Sequence, residues 1–241
     1  MSVKKSFDLF YDRFDNKTLK FDTERFQFKS WVENELKSIG VDFQKLELLH
    51  ESMSAKDCAS VTKQIIQNTR KKSFLKIAIP FIEECILPLV DNSEVALQRF
   101  FNFRILLPDQ PLSIVPFHNG QLQGHGLGER TIWMPMTESR DTSSLYLMPV
   151  ESSRVALKKV RELKSSYRDF QKLLKEEAAP VNIGYGNASL FTQENIHGSL
   201  SNITGRTRVS FDFRILIKGL PYGQKIPGGY FSPMYLTEKA L

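Results

Sequence analysis

The chain has 241 residues, of which 41% are hydrophobic and 25% are charged, and its net charge is +6. These fractions are typical of a globular protein with a sizeable core and argue against an intrinsically disordered chain. The densest basic run, residues 154–175, is interleaved with Leu and Val at helical spacing, which predicts a solvated helix face. No nucleic-acid partner is therefore expected.

The cysteines and the apolar runs indicate the cellular compartment of the protein. Cys58 and Cys85 lack the spacing of a paired set, so we expect reduced thiols and neither a disulfide nor a zinc site. Residues 1–5 contain no apolar core of a secretory signal. The most apolar run, residues 74–90, is broken by Lys, Pro and Glu, a pattern that a membrane span would not tolerate. The sequence predicts a cytoplasmic protein without a membrane partner.

Residues 1–93 are predicted to form a helical support region that packs against one face of a sheet. Apolar residues at helical spacing predict a helix over residues 24–39. Ser54 followed by Asp57 predicts the capping box of a second helix. A third, more apolar helix surrounds Pro80, which would either kink that helix or start a new one.

From residue 94 the pattern changes to short runs of β-branched and aromatic residues, which predict strands. Eight strands are predicted, over residues 95–107, 112–118, 130–137, 144–148, 180–185, 188–191, 196–200 and 206–217. A helix over residues 151–177 interrupts them. The predicted fold is mainly β, an eight-strand double-stranded β-helix, or jelly roll, flanked by helices, in one domain spanning residues 1–241 with its core at 94–241. The tail, residues 219–233, is predicted to be an ordered loop over the barrel mouth.

Two histidines stand at the ends of predicted strands, each beside a glycine. His118 is followed by Asn119-Gly120, and His197 is followed by Gly198. A single histidine in such a place often just faces solvent. The pair gains interest from Arg208 and Ser210, which share one face of the last predicted strand and could together bind a carboxylate. A buried Arg208 paired with a core acid would explain the same pattern.

Two histidines on strands with Arg-x-Ser after the second resemble the Fe(II)/2-oxoglutarate-dependent dioxygenase superfamily. A longer set of positions resembles the small oxygenases of bacterial carbohydrate and aminoglycoside gene clusters, which read H-x-D, G-x-S-P-x-E, W-x-P-L-T-D and S-M-Y-I. The matching positions are His118-Asn119-Gly120, Gly124, Glu129, Trp133 to Thr137, Ser144 to Leu147, His197-Gly198, Asn202, Thr204, Thr207 to Phe211 and Arg214. The similarity covers residues 118–214.

The resemblance implies an oxidative enzyme that uses Fe(II), 2-oxoglutarate and dioxygen on an unactivated C–H bond of a small molecule, carbohydrate-like or amino-acid-like. It implies that His118 and His197 are metal ligands, with a carboxylate as the third. It further implies that Arg208 and Ser210 hold the distal carboxylate of 2-oxoglutarate. The protein would supply position and electrostatics, while metal and co-substrate supply the oxidation.

One ligand of the H-x-D pattern is missing, because Gly120 stands where the aspartate is expected. Three explanations compete. A halide, such as chloride, occupies the vacated position, as in halogenases that read H-x-G or H-x-A. Another carboxylate or water takes the place, with Glu129 as the nearest candidate. Or the protein is a non-catalytic jelly-roll binding module that has lost full iron ligation. The halide explanation is preferred over each of the others.

Two further residues are candidates for the substrate side of the site. His125 lies in a glycine-flanked loop seven residues after His118, and this loop separates two predicted strands at the barrel mouth. A third iron ligand is one role for His125, and a substrate-lining position is the one we expect. Trp133 is predicted to pack in the core, and a substrate-lining position is its second candidate role.

Overall fold

Two antiparallel sheets with a cavity between them form the centre of the molecule. The computed structural model describes residues 13–91, 93–111, 114–163 and 167–236. Seven strands form the larger sheet: β1 (Lys17–Lys20), β2 (Val95–Gln98), β3 (Asn102–Leu106), β4 (Glu129–Pro135), β7 (Asn187–Thr192), β9 (Arg208–Ile217) and β10 (Phe231–Leu236). Three form the smaller sheet: β5 (Tyr146–Leu147), β6 (Ala179–Pro180) and β8 (His197–Gly198).

The larger sheet runs in the order β1-β7-β4-β9-β2-β10, and β3 also pairs with β9. Every residue of β9 is buried, because strands lie on both of its edges and side chains cover both of its faces. From Arg208 to Ile215 its sequence alternates between polar and apolar residues, as a strand between two different environments requires. The polar side chains on one face are Arg208, Ser210, Asp212 and Arg214, and the apolar ones on the other are Val209, Phe211, Phe213 and Ile215.

Helices cover the apolar face of the larger sheet. They are α1 (Phe28–Ser38), α2 (Ala55–Asn68) and α3 (Lys72–Phe81). Aromatic rings join the two layers: Phe74 lies 5.4 Å from Phe211, and Phe81 lies 6.5 Å from Phe213, between ring centroids. Each such pair adds about 0.5–1.5 kcal/mol beyond the burial of its area. This layer leaves the polar face of β9 free to line the cavity.

Local sequence signals in the helical region are only partly confirmed. The capping box of Ser54 and Asp57 is present, with the Asp57 N–H donating to Ser54 Oγ over 3.2 Å. The first predicted helix, 24–39, is shorter and begins at Phe28. Pro80 lies inside α3 and is followed by a π-helical turn over Ile82–Ile86, which shows how the chain accommodates the lost hydrogen bond.

The helix predicted over residues 151–177 is two helices, α4 (Val150–Leu163) and α5 (Tyr167–Glu177). The side-chain amide of Gln171, on α5, forms two hydrogen bonds with the backbone of Phe117. Its Nε2 donates to the Phe117 carbonyl over 2.8 Å, and its Oε1 accepts from the Phe117 N–H over 2.9 Å. The inserted helices therefore hold the segment that leads into His118.

Several strand predictions need correction. The run 95–107 is two strands, β2 and β3, separated by a bend. The run 112–118 is not a strand: residues 112–113 lie outside the described residues, and only His118 forms a β-bridge. Pro116 lacks the N–H that a ladder needs, which explains the irregular segment. Within the described part of the chain, no helix combines the length and apolar character needed to cross a bilayer.

Two edge strands were not predicted, and both have weak sequence signals. β1 is a short polar run at one edge of the larger sheet. β10 contains Pro233 and lies at the other edge, where a proline does not interrupt a ladder, and its register with β2 shifts between Phe231 and Tyr235. The tail predicted as a loop over the barrel mouth thus ends in a strand, while Lys225 and Tyr230 do line the cavity.

Candidate active site

His118 and His197 are directly opposed residues of one antiparallel bridge. The His118 N–H donates to the His197 carbonyl over 3.0 Å, and the His197 N–H donates to the His118 carbonyl over 2.8 Å. Directly opposed residues point to the same face, so their ring centroids lie only 4.3 Å apart. Gly198 permits this pairing, because a Cβ there would lie 2.9 Å from the Phe117 Cα. The two histidines predicted from distant segments are thus brought together.

Backbone carbonyls fix the tautomer of both imidazoles. His118 Nδ1 lies 2.8 Å from the Pro116 carbonyl oxygen, and His197 Nδ1 lies 3.0 Å from the Asn195 carbonyl oxygen. A carbonyl only accepts, so each Nδ1 carries the proton and each Nε2 keeps its lone pair. This is the arrangement that metal-ligating histidines use.

The electrostatics of the site keep both rings neutral. Burial lowers the pKa of His118, and the positive charges of Arg214 and Arg104 lower it further against the opposing hydrogen bond to Pro116. Burial lowers the pKa of His197 well below 6.5, and the neighbouring His118 adds to the effect. Neutral imidazoles are the form that binds a metal ion, so no proton has to be displaced at neutral pH.

Both rings line a cavity of about 430 Å³ between the two sheets, which we call the histidine cavity. This volume lies in the range of small-molecule sites. Its described lining residues are Asn102, Arg104, Val115, His118, Gln123, His125, Thr131, Trp133, Leu145, Phe191, His197, Gly198, Ser199, Arg208, Asp212, Arg214, Lys225 and Tyr230. They include the predicted His118, His197, His125, Trp133 and Arg208.

Arg208 is buried with no carboxylate partner among the described residues. Its Nη1 donates to Ser210 Oγ over 2.8 Å, and its guanidinium lies 5.7 Å from the Trp133 ring centroid. Its Nε is buried without a hydrogen-bond partner in the described part of the chain. Burial, together with the charge of Arg104, lowers the pKa of Arg208 to about 9. A guanidinium in such a place calls for an anion, because an uncompensated buried charge is costly.

The core acid of this strand, Asp212, is already engaged by other groups. It accepts from Asn102 Nδ2 over 2.6 Å and from Arg104 Nε over 2.9 Å, and Arg214 Nη1 lies 3.5 Å away. Burial opposes its ionisation, but Arg104 and Arg214 outweigh that effect and hold the pKa of Asp212 below 3.8. Among the described residues, Arg208 therefore does not pair with a core acid, which was the alternative explanation of the pattern.

Gly120 does not leave an open space. A Cβ on Gly120 would overlap Gln193 Oε1 and lie 2.9 Å from Gln193 Cδ, so the side chain of Gln193 fills the place from which an aspartate would project. The Gln193 amide occupies the position expected to be vacant for a halide.

Glu129 and His125 bind each other. His125 Nδ1 lies 2.5 Å from one carboxylate oxygen of Glu129, and the Gly126 N–H donates to the other over 2.8 Å. Glu129 is fully buried, and its oxygens are turned to this loop. His125 itself lines the cavity beside Tyr230, with 5.3 Å between ring centroids. The pair therefore stabilises one wall of the histidine cavity.

No group of three or more His, Cys, Asp or Glu side chains within the described ranges is arranged to hold a metal ion. Within these ranges, His118 and His197 are therefore not joined by a third side chain of these types. Trp133 is buried, as predicted, and also lines the cavity, with its indole Nε1 lacking a partner among the described residues.

Sequence reasoning missed several residues of the cavity. Asp212 could have been found, because it continues the alternation that placed Arg208 and Ser210 on one face. Arg104 faces Ser210 across β3 and β9, which follows only from the strand pairing. Lys225 and Tyr230 come from the tail and carry no local signal that aims them at the cavity.

Solved structures with a similar fold include two proteins described as non-heme enzymes. The non-heme monooxygenase ThoJ, as a nickel complex, superposes with a TM-score of 0.54 at 13% identity over 92% of this chain and 79% of that one. The alpha-ketoglutarate-dependent carbocyclase SnoK gives 0.51 at 12% over 98% and 97%. CytC3 with Fe(II) and alpha-ketoglutarate gives 0.52 at 14% over 98% and 88%.

These likenesses establish a shared fold. Together with the two-sheet topology, they confirm the predicted fold class, a double-stranded β-helix flanked by helices. No protein-family profile matches the sequence, and no functionally curated protein matches it.

Proposed function

We propose that the protein is a non-haem Fe(II)/2-oxoglutarate-dependent enzyme that oxidises a C–H bond of a small molecule. The observation that supports it best is one cavity containing two neutral, oriented imidazoles and a buried guanidinium that lacks an anion. If all three side chains were purely structural, the free-energy cost of burying a guanidinium without an anion would have no explanation. The fold shared with SnoK and with CytC3, which was solved with Fe(II) and alpha-ketoglutarate, supports the same chemistry.

The residues fit the groups that this function requires. Two nitrogen donors on one face suit Fe(II) and leave further positions for co-substrate and dioxygen. Arg208 offers an unpartnered Nε and a planar fork of donors, which match a carboxylate. His118 and His197 would hold the metal, and Arg208 with Ser210 would hold the distal carboxylate of 2-oxoglutarate.

When bound, the iron and 2-oxoglutarate supply the oxidation, in which dioxygen yields succinate, carbon dioxide and an oxidised substrate. The chain's own residues do the positioning. The Pro116 and Asn195 carbonyls engage both Nδ1 atoms, which leaves both Nε2 atoms free to bind the metal. Phe191, whose ring centroid lies 4.7 Å from that of His197, and the buried Trp133 give the cavity lining apolar surface beside the histidines.

The charges of the cavity favour an anionic substrate. Its described lining contains four permanent cations, Arg104, Arg208, Arg214 and Lys225, and the carboxylate of Asp212. With 2-oxoglutarate balancing the charge of Fe(II), the cavity lining keeps a cationic excess. A carboxylate or phosphate group on the small molecule would compensate it, and an amino acid or acidic sugar has that chemistry.

Halogenation is an alternative outcome of the same chemistry, and Gly120 is the observation behind it. It requires a halide in the space that the Gln193 side chain fills. A second alternative, a non-catalytic binding module, is favoured by the lack of a third acidic or imidazole ligand in the described part of the chain. Iron affinity measured with and without chloride separates halogenation from the proposal, and turnover of 2-oxoglutarate separates the binding module.

Calorimetric titration of 2-oxoglutarate into protein loaded with Mn(II) under anaerobic conditions tests the proposal. Glutarate, which lacks the keto oxygen, is the matched ligand: it can reach Arg208 but cannot chelate the metal. We expect 2-oxoglutarate to bind at least tenfold more tightly than glutarate, a difference of about 1.4 kcal/mol. Equal binding of the two, or no binding of either, would contradict the proposed site.

A further inference from the structure

We propose that the side-chain amide of Gln193 is the third protein ligand of the metal, in the place of the carboxylate that Gly120 lacks. The inference rests on the proposed function, since it concerns the metal of that site. The ligand would be a neutral oxygen from the connection between β7 and β8, four residues before His197 in the chain.

The first argument is position. Any ligand carried by residue 120 would start at its Cβ, and Gln193 Oε1 lies close enough to overlap an atom placed there. The two segments are fastened together there, because the Gly120 and Gln121 N–H groups both donate to the Gln193 carbonyl, over 3.0 and 3.3 Å. The amide oxygen therefore reaches, from the opposite segment, the region that a side chain on Gly120 would have entered.

The second argument is the unpartnered oxygen. Gln193 is 1% exposed, and its Nε2 donates to Thr131 Oγ1 over 2.9 Å. Its Oε1 is buried with no hydrogen-bond partner among the described residues. Buried carbonyl oxygens are nearly always satisfied, so an orphan calls for a bound group. Thr131 lines the histidine cavity, and it anchors the amide so that the oxygen is the free end.

The third argument is the chemistry of the oxygen. Carbonyl oxygens are suitable ligands for the harder divalent metals of the first row. The other oxygens near the cavity are occupied: Glu129 binds His125 and Gly126 N–H, and Asp212 binds Asn102 and Arg104. A neutral amide leaves the metal one unit more positive than a carboxylate would, which increases the need for an anionic co-substrate or substrate.

The test compares Gln193→Leu, which keeps the volume and removes the oxygen, with Gln193→Glu, which adds a charge at the same place. Gln123→Leu is the matched control, because Gln123 is an exposed glutamine in the lining of the histidine cavity. Anaerobic calorimetry with Fe(II), and the visible spectrum of bound Co(II), report affinity and coordination. Circular dichroism and thermal melting without metal show whether each variant folds.

We expect Gln193→Leu to weaken metal binding by at least roughly tenfold, since even indirect contacts to a metal ligand are worth that much. Gln193→Glu is expected to tighten it and to change the Co(II) spectrum, while Gln123→Leu leaves both as in the wild type. Wild-type affinity in a folded Gln193→Leu would overturn the inference and leave the proposed function standing. If that variant does not fold, unchanged affinity and spectrum in Gln193→Glu would overturn it. A wild-type protein that binds no metal would overturn both.

Discussion

The substitution Gly120→Asp would restore the aspartate of the H-x-D pattern, and the structure predicts that it lowers the free energy of unfolding. In Gly120→Asp the new Cβ overlaps Gln193 Oε1 and lies 2.9 Å from Cδ, so the Gln193 side chain has to move. Overpacking of this kind costs about 1–3 kcal/mol. Moving the amide also breaks its hydrogen bond to Thr131, which is worth about 1 kcal/mol. We expect a total loss of about 2–4 kcal/mol.

Making room for the aspartate is expected to remove most of this cost. In the double variant Gly120→Asp/Gln193→Ala the carboxylate enters the space that the amide has left. The two substitutions are therefore coupled, by about 2 kcal/mol in favour of the double variant. The same variant restores H-x-D, so it is expected to bind Fe(II) more tightly than the wild type and without any dependence on chloride.

The assay is chemical denaturation of the metal-free wild type, both single variants and the double variant, analysed as a double-mutant cycle. Gly229→Asp is the control, because a Cβ there has only ordinary contacts, at 3.5 Å or more, and we expect a change within about 0.5 kcal/mol. Wild-type stability in Gly120→Asp, or additive effects in the cycle, would show that Gln193 does not fill this place.

Three further predictions concern the site. His118→Ala and His197→Ala are each expected to weaken Fe(II) binding by at least roughly tenfold, measured by metal analysis and calorimetry. Arg208→Lys keeps the charge but loses the fork, so 2-oxoglutarate affinity falls by about 1.5–3 kcal/mol, and Ser210→Ala costs about 1.5 kcal/mol. Asp212→Asn is expected to lower the free energy of unfolding at pH 7 by about 3 kcal/mol, since it leaves buried positive charge without its carboxylate partner. Because the folded pKa of Asp212 lies below 3.8, this contribution is present above pH 3.8 and is lost as the pH falls through the folded value.

Each of these has a result that speaks against it. Wild-type iron content in either histidine variant removes that histidine from the site. Unchanged 2-oxoglutarate affinity in Arg208→Ala shows that the anion binds elsewhere. For Asp212→Asn the control is Glu138→Gln, an exposed partner of Arg140 whose loss costs under about 1 kcal/mol. A stability difference between wild type and Asp212→Asn that persists unchanged at pH 3 contradicts the pKa argument.

The parts of the site with a local signal could be predicted from sequence. Strand alternation placed Arg208 and Ser210 on one face, and the structure joins them by a hydrogen bond of 2.8 Å. Of the glycines that follow His118 and His197, Gly198 allows a close approach to Phe117. The cross-strand bridge that brings the two rings together was expected only from the resemblance.

Contacts that depend on the pairing of distant segments could not be predicted. Gln193 and Gly120 are joined by backbone hydrogen bonds between two loops, and no periodicity in either segment reveals them. The contact between Gln193 and Gly120 could not be predicted for this reason. Edge strand β10 was missed because its glycine- and proline-rich approach is typical of a loop, and its pairing with β2 is irregular.

The central claim is that iron and 2-oxoglutarate bind together in the histidine cavity, and one spectrum tests it most directly. Chelation of Fe(II) by the keto and carboxylate oxygens of 2-oxoglutarate produces a weak charge-transfer band in the visible range. When Fe(II) and 2-oxoglutarate are added anaerobically, we expect this band in the wild type, its loss in His197→Ala, and a higher 2-oxoglutarate requirement in Arg208→Lys. Absence of the band in wild-type protein with iron bound, or its persistence in His197→Ala, would contradict the claim.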